Sequence, residues 1–209
     1  MSTMDVARPY AAVSPTLDGE VLRVLAATSM LMTGREVARR TGRSSHSGVL
    51  DVLHRLTDHG LVTRVELNRA FLFALNRDHV AAPAVELLAG LRAELFSRIR
   101  RAIGDWEIAP VYAAVFGSTA RADGDVDSDI DLLLVRSSAI EPGESRWQAQ
   151  VEDLRRKIEG WSGNGAGIVE VSETGLARLR DEERPIIAEL CADAIVVGGS
   201  DVTALLEPA

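Results

Sequence analysis

Residues 115–135 read VFGSTARADGDVDSDIDLLLV, and the rest of the chain is organised around this stretch. The apolar run from Val111 to Phe116 predicts a buried strand that stops at Gly117-Ser118, where a glycine lacks the Cβ that would keep a ligand off the backbone. A turn into a short helix is expected next, with backbone N–H groups at its start open to the oxygens of a polyphosphate. Ten residues separate Ser118 from Asp129, and Asp129-Ile130-Asp131 leads straight into Leu132-Leu133-Leu134-Val135, a second buried strand. Side chains alternate along a strand, so Asp129 and Asp131 project from one face, roughly 7 Å apart at the backbone. Two carboxylates that close repel each other, and apolar neighbours make this worse unless a cation sits between them. A hard divalent ion resolves the conflict, and Mg2+ fits best where phosphates supply its remaining ligands.

The spacing Gly-Ser-x10-Asp-x-Asp resembles the signature of the DNA-polymerase-β-like nucleotidyltransferase superfamily. Gly117-Ser118-Thr119-Ala120-Arg121 followed by Ser128-Asp129-Ile130-Asp131 is most similar to its minimal nucleotidyltransferase branch. The resemblance implies that Gly117 and Ser118 hold nucleotide phosphates, that Asp129 and Asp131 ligate metal, and that a third carboxylate on a later strand completes a catalytic site. Glu170, in Gly167-Ile168-Val169-Glu170-Val171, is similar in position to that third acid. Arg121 reads either as a further phosphate contact or as a surface ion-pair partner. Many relatives carry glycine after the arginine, whereas this chain has Ala122. Two Mg2+ ions are implied, with Mn2+ as the alternative, and ATP or another NTP as substrate. The implied reaction moves an NMP, AMP foremost, to a hydroxyl of a protein or transfer-RNA acceptor, and members of the minimal branch often work beside a toxin partner.

Competing readings of the same residues differ in testable ways. A calcium loop starting at Asp123 fails, because its sixth and twelfth places hold Ser128 and Leu134 in place of Gly and Glu. Gly163-Asn164-Gly165-Ala166-Gly167 precedes a strand and does not open a helix, so it reads as a flexible connection and not as a phosphate loop. A transcription regulator that only senses nucleotide is the alternative function, and an aminoglycoside-type antibiotic nucleotidyltransferase ranks lower, having no evident use for the N-terminal module described next.

Thr16 or Asp18 can cap a helix through Ala27; Thr33 and Glu36 form a capping box for a second, ended by Gly42; Ser44 or Ser45 caps a third through His59, stopped by Gly60. Leu61–Val65 and Ala70–Leu75 then alternate around Asn68-Arg69, which predicts a β-hairpin. This order, over roughly residues 17–78, resembles the winged helix-turn-helix of bacterial transcription regulators. The resemblance implies that Ser44, Ser45, His46 and Ser47 face DNA bases and that Arg39, Arg40, Arg43 and Arg69 lie near phosphates. Docking of a protein partner is the other use of such a module. Ten arginines against eight acids give residues 1–80 a charge of +2, and thirteen basic against twenty-three acidic give 81–209 a charge of -10. A mildly basic front half and an acidic rear half suit different partners, and neither suits non-specific coating of nucleic acid.

The expected architecture is α/β (α+β) in two domains: a winged helix-turn-helix over 1–80, a connecting helix over 81–104, and a nucleotidyltransferase fold with a small mixed sheet over 105–209. Residues 1–15 read as a loosely ordered arm. The connecting helix carries Leu87, Leu88, Leu91, Leu95, Phe96 and Ile99, a stripe broad enough to support a homodimer. Further helices are expected over Arg146–Ile158, Thr174–Arg180, Arg184–Cys191 and Val202–Leu206, with strands around Glu170 and over Ala194–Val197. Trp147 and Trp161 read as packing residues, and the single Cys191 as a buried core thiol. No apolar run reaches membrane-span length and no signal-peptide pattern stands at the N-terminus, so a cytoplasmic protein without membrane contact is expected.

Overall fold

The computed structural model describes residues 3–42, 45–182 and 184–199. It is a mixed α and β structure in two compact units, Pro9–Leu91 and a second unit built from residues up to Arg8 together with those from Arg92 onward. Arg43, Ser44 and the closing helix expected over Val202–Leu206 lie outside the described residues. Among the described residues no helix is long and apolar enough to cross a membrane.

In the unit Pro9–Leu91, local signals in the sequence govern the element ends. Helix α1 (Leu17–Ala26) is followed by a short strand β1 (Met32–Thr33) and helix α2 (Gly34–Thr41). The Thr33 hydroxyl accepts from Glu36 N while the Glu36 carboxylate accepts from Thr33 N, a complete capping box, and Gly42 ends the helix at φ 79°. In α3 (His46–Asp58) the Ser45 hydroxyl accepts from Gly48 N, again filling the cap. Strands β2 (Val62–Leu67) and β3 (Ala70–Leu75) pair antiparallel with Leu67 opposite Ala70. Asn68 and Arg69 carry the two positive φ angles, 50° and 65°, that a two-residue hairpin of matching twist needs. Strand β1, too short to be read from the sequence, pairs with the other edge of β3. Val21, Leu25, Val37, Val49, Leu53 and Phe73 fill the common core, and helix α4 (Ala82–Ala89) adds Ala82 and Val85 to it.

The second unit is a four-stranded sheet covered on both faces. Helix α5 (Leu91–Gly104) leads to strand β4 (Tyr112–Val115), the short helix α6 (Gly117–Arg121), strand β5 (Ile130–Arg136) and helix α7 (Ser145–Ser162). Strand β6 (Ala166–Ser172), helices α8 (Glu173–Asp181) and α9 (Pro185–Asp193), and strand β7 (Ile195–Gly199) complete it. The spatial order is β6-β5-β4-β7, with β5 and β6 parallel and the other pairs antiparallel. The central strand β5 buries both faces, as the unbroken Leu-Leu-Leu-Val run requires. Ile130, Leu132 and Leu134 face α5 and α7; Leu133 and Val135 face α8 and α9.

Three expectations are corrected here. The connecting helix is two helices separated at Gly90, a poor helix former, and its stripe is divided: Leu95, Phe96 and Ile99 are buried against the sheet within this unit, whereas Leu87 is exposed. Residues 4–8 are not a loose arm: Val6 is buried in the sheet unit, and Met4 is held at both its N–H and its carbonyl by the Asn164 side chain. Cys191 is exposed, because Ile187 and Leu190 take the inward side of α9. Trp147 and Trp161 do pack: Trp147 is fully buried edge-on to Trp106, and Trp161 lies against the same core.

Candidate functional site

The two halves of the Gly-Ser…Asp-x-Asp stretch meet where β4 and β5 run side by side. Val115 stands opposite Leu132, so β4 ends and α6 begins level with the start of β5. Phe116 N donates to the Asp131 carbonyl at 3.0 Å, and the buried Thr119 hydroxyl donates to the Asp129 carbonyl at 3.1 Å. These two bonds fix the Gly117–Arg121 turn against the aspartate strand. Gly117 has φ 68°, a conformation that L side chains resist, and a Cβ there would stand 3.0 Å from Asp131 Oδ2.

Two further glycines line the carboxylates. In the parallel register Gly167 lies beside Asp131, and a Cβ on it would come within 2.5 Å of Asp131 Oδ1; a Cβ on Gly165 would come within 2.5 Å of Asp129 Oδ1. Gly165 O also accepts from Ile130 N at 2.9 Å. The segment expected to be a flexible connection is therefore one wall of the site. Its signal in the sequence was the pair Gly165 and Gly167, two residues apart at the entry to a strand, which sets bare backbone on one side there. Asn164, missed entirely, is buried; its amide donates to Ser128 O at 3.0 Å as well as to Met4 O, so it holds the loop that carries Asp129.

Asp129 is exposed and Asp131 half-buried. Burial pushes the Asp131 carboxyl above its ordinary value, and the negative charges of Asp129 and then of Glu189 on α9 push it further. A divalent cation would relieve that repulsion, and the missing Cβ atoms at Gly117, Gly165 and Gly167 are what let the carboxylate oxygens lie against the backbone there. Arg121 is exposed on α6, 3.0 Å from Asp123 and 3.9 Å from Asp193, and Asp123 above all holds its guanidinium in the charged form. Ser118 is half-buried, and a Cβ on Gly124 would stand 3.1 Å from its hydroxyl oxygen.

Glu170 is not brought to this pair. It lies opposite Leu134, three positions beyond Gly167, and an odd offset along a strand turns a side chain to the other face. There its carboxylate accepts from Trp147 Nε1 at 2.7 Å and from Gln148 Nε2 at 3.2 Å, both on α7. Among the described residues no three His, Cys, Asp or Glu side chains cluster as a metal cage.

In the other unit, Arg39 and Arg40 are exposed in the last turn of α2, Ser45, His46 and Ser47 are exposed at the start of α3, and Arg69 is exposed at the hairpin tip. Ser45 is engaged in its cap and with the Ser47 hydroxyl at 3.3 Å. Comparison with protein-family models, with curated proteins and with solved structures finds no match.

Proposed function

We propose that the chain is a Mg2+-dependent nucleotidyltransferase that moves an NMP, AMP foremost, from an NTP to a hydroxyl of a macromolecular acceptor, protein or transfer RNA. The observation that carries this reading is the pair Asp129 and Asp131 beside the Gly117–Ser118 turn, with bare backbone at Gly117, Gly165 and Gly167 around their oxygens. Asp129 and Asp131 would hold the ion, and Gly117 and Ser118 would lie against the phosphates. Bound there, Mg2+ would neutralise the charge that develops on the transferred phosphate. The acceptor oxygen attacks the α-phosphorus in line as the bond to the β-phosphate breaks, pyrophosphate leaves, and the hydroxyl proton passes to water. Positioning and charge neutralisation supply most of the rate. We further propose that residues 9–91 act as a winged helix-turn-helix for DNA or partner docking, a reading supported by the order of three helices and a hairpin and by the exposed Arg39, Arg40 and Arg69.

One observation favours a second reading. With Glu170 on the opposite face, the site is one acid short of a two-ion set, which suits a regulator that binds nucleotide without transferring it. Transfer from α-labelled NTPs, with Mg2+ and host lysate, by the wild type and by Asp129→Asn/Asp131→Asn separates the two. Label in a protein or RNA fraction only with the wild type supports the transferase and names its acceptor class; nucleotide binding without label supports the regulator.

A further inference from the structure

Arg92, the second residue of α5, is joined to the site through α6. Its Nη2 donates to the carbonyl oxygens of Thr119 and of Ala120, both at 2.7 Å, while the guanidinium stacks 4.8 Å over the Phe96 ring. Burial disfavours its charged form, its Nε is buried without a hydrogen-bond partner, and among the described residues no carboxylate pairs with it. A half-buried cation is costly to keep in that setting, and a guanidinium that gives its bonds to neutral carbonyls is serving the segment that carries them.

That segment needs an external tie. Helix α6 has five residues and ends at Ala122 in a left-handed conformation, so the carbonyls of Thr119 and Ala120 stand at a helix end without the next turn to satisfy them. The bonds from Phe116 N and the Thr119 hydroxyl fasten one side of the turn to β5. Arg92 fastens the other side to α5: one nitrogen, Nη2, gives its two hydrogens to two successive carbonyls, while the guanidinium plane stays stacked on Phe96.

We propose that Arg92 is a positioning residue for the phosphate-binding turn: by holding the Thr119 and Ala120 carbonyls it sets the placement of Gly117 and Ser118, and through them nucleotide affinity, without touching the nucleotide. The inference rests on the nucleotide reading of the site. Calorimetric titration of the full chain with the Mg2+ complexes of the four NTPs tests it on the wild type, Arg92→Ala and Arg92→Lys, with KM and kcat measured for transfer. Arg92→Ala is expected to weaken nucleotide binding about tenfold or more, the loss of a pair of charge-assisted bonds. KM is expected to rise by a similar factor with kcat changed less than about threefold, since the turn binds ground state and transition state alike. Millimolar guanidinium is expected to restore Arg92→Ala, and Arg92→Lys to fall between the two. Wild-type affinity in Arg92→Ala overturns the proposal, as does a loss that guanidinium leaves untouched and that follows a drop in Tm. A wild type that binds none of the four nucleotides overturns the nucleotide reading itself, before any variant is compared.

Discussion

On one face of the four-stranded sheet, Leu132 and Leu134 meet α5 and α7, and Glu170 gives its carboxylate to Trp147 and Gln148. On the other face, reached by alternate residues of the same strands, Asp131 stands next to Gly167 with Glu189 as the next acid to act on it. The first face satisfies its one carboxylate with two donors. The second, among the described residues, gives its two carboxylates no such donors and sets glycines against them. A half-buried acid with two donors is part of the packing, whereas an acid raised in pKa beside another acid would gain from a nearby cation. One residue of register separates the two conditions.

The largest effect that sharpens this contrast is expected at Asp131. Asp131→Asn should fold and lose transfer by two orders of magnitude or more, roughly the scale of one misplaced electrostatic contact at a reacting centre. The same change should raise the Tm of the metal-free protein at neutral pH. Its carboxyl is raised in the folded state, so the native state binds protons more readily than the unfolded chain. The wild type therefore loses stability as pH climbs from the unfolded value near 3.8 through the raised folded value, and Asp131→Asn removes that slope. Thermal melts across pH 3–8, with and without Mg2+, check both; a slope unchanged in Asp131→Asn would mean that another group carries it.

Next in size are the glycines. Gly167→Ala puts a Cβ where Asp131 Oδ1 lies, and because the obstacle is the far end of a side chain the fold should adjust at a cost of about 1 kcal/mol or less. The carboxylate must turn away, so Mg2+-dependent nucleotide affinity should fall about tenfold or more. Titration of the variant measures this, and unchanged affinity would show that Asp131 works from another rotamer.

Local chemistry made much of the fold legible. The capping box of Thr33 and Glu36, the Ser45 cap, the Asn68-Arg69 turn and the Leu132–Val135 run each declare themselves within a few residues, because hydrogen bonds of caps and turns are local. The aspartate pair and Gly117 were legible for the same reason. What could not be read was register: nothing inside Gly-Ile-Val-Glu-Val says that Gly167, and not Glu170, lies beside Asp131, since that depends on how β6 slides along β5. Tertiary partners were equally hidden, so Val6, Asn164 and Arg92 gave no periodic signal.

Glu170→Gln tests the register directly. An amide keeps one acceptor for Trp147 and Gln148, so the expected cost is about 1 kcal/mol of stability, with transfer kept within about threefold. A loss of orders of magnitude would move Glu170 to the metal face and reverse the contrast between the two sides of the sheet.

The smallest effect is expected at Ala122, which closes α6 with φ 61° and ψ 35°. An L residue with a Cβ pays for that left-handed conformation about 1 kcal/mol that glycine does not. Ala122→Gly should therefore raise stability by up to about 1 kcal/mol, less whatever glycine gains in unfolded-state freedom, and leave the Asp129–Asp131 pair in place. Chemical denaturation reads the first and Mg2+-nucleotide titration the second. Since Asp123 N bonds to Ser118 O across the same turn, a gain in stability accompanied by weaker nucleotide binding would mean that the strain at Ala122 holds Ser118 in its working position.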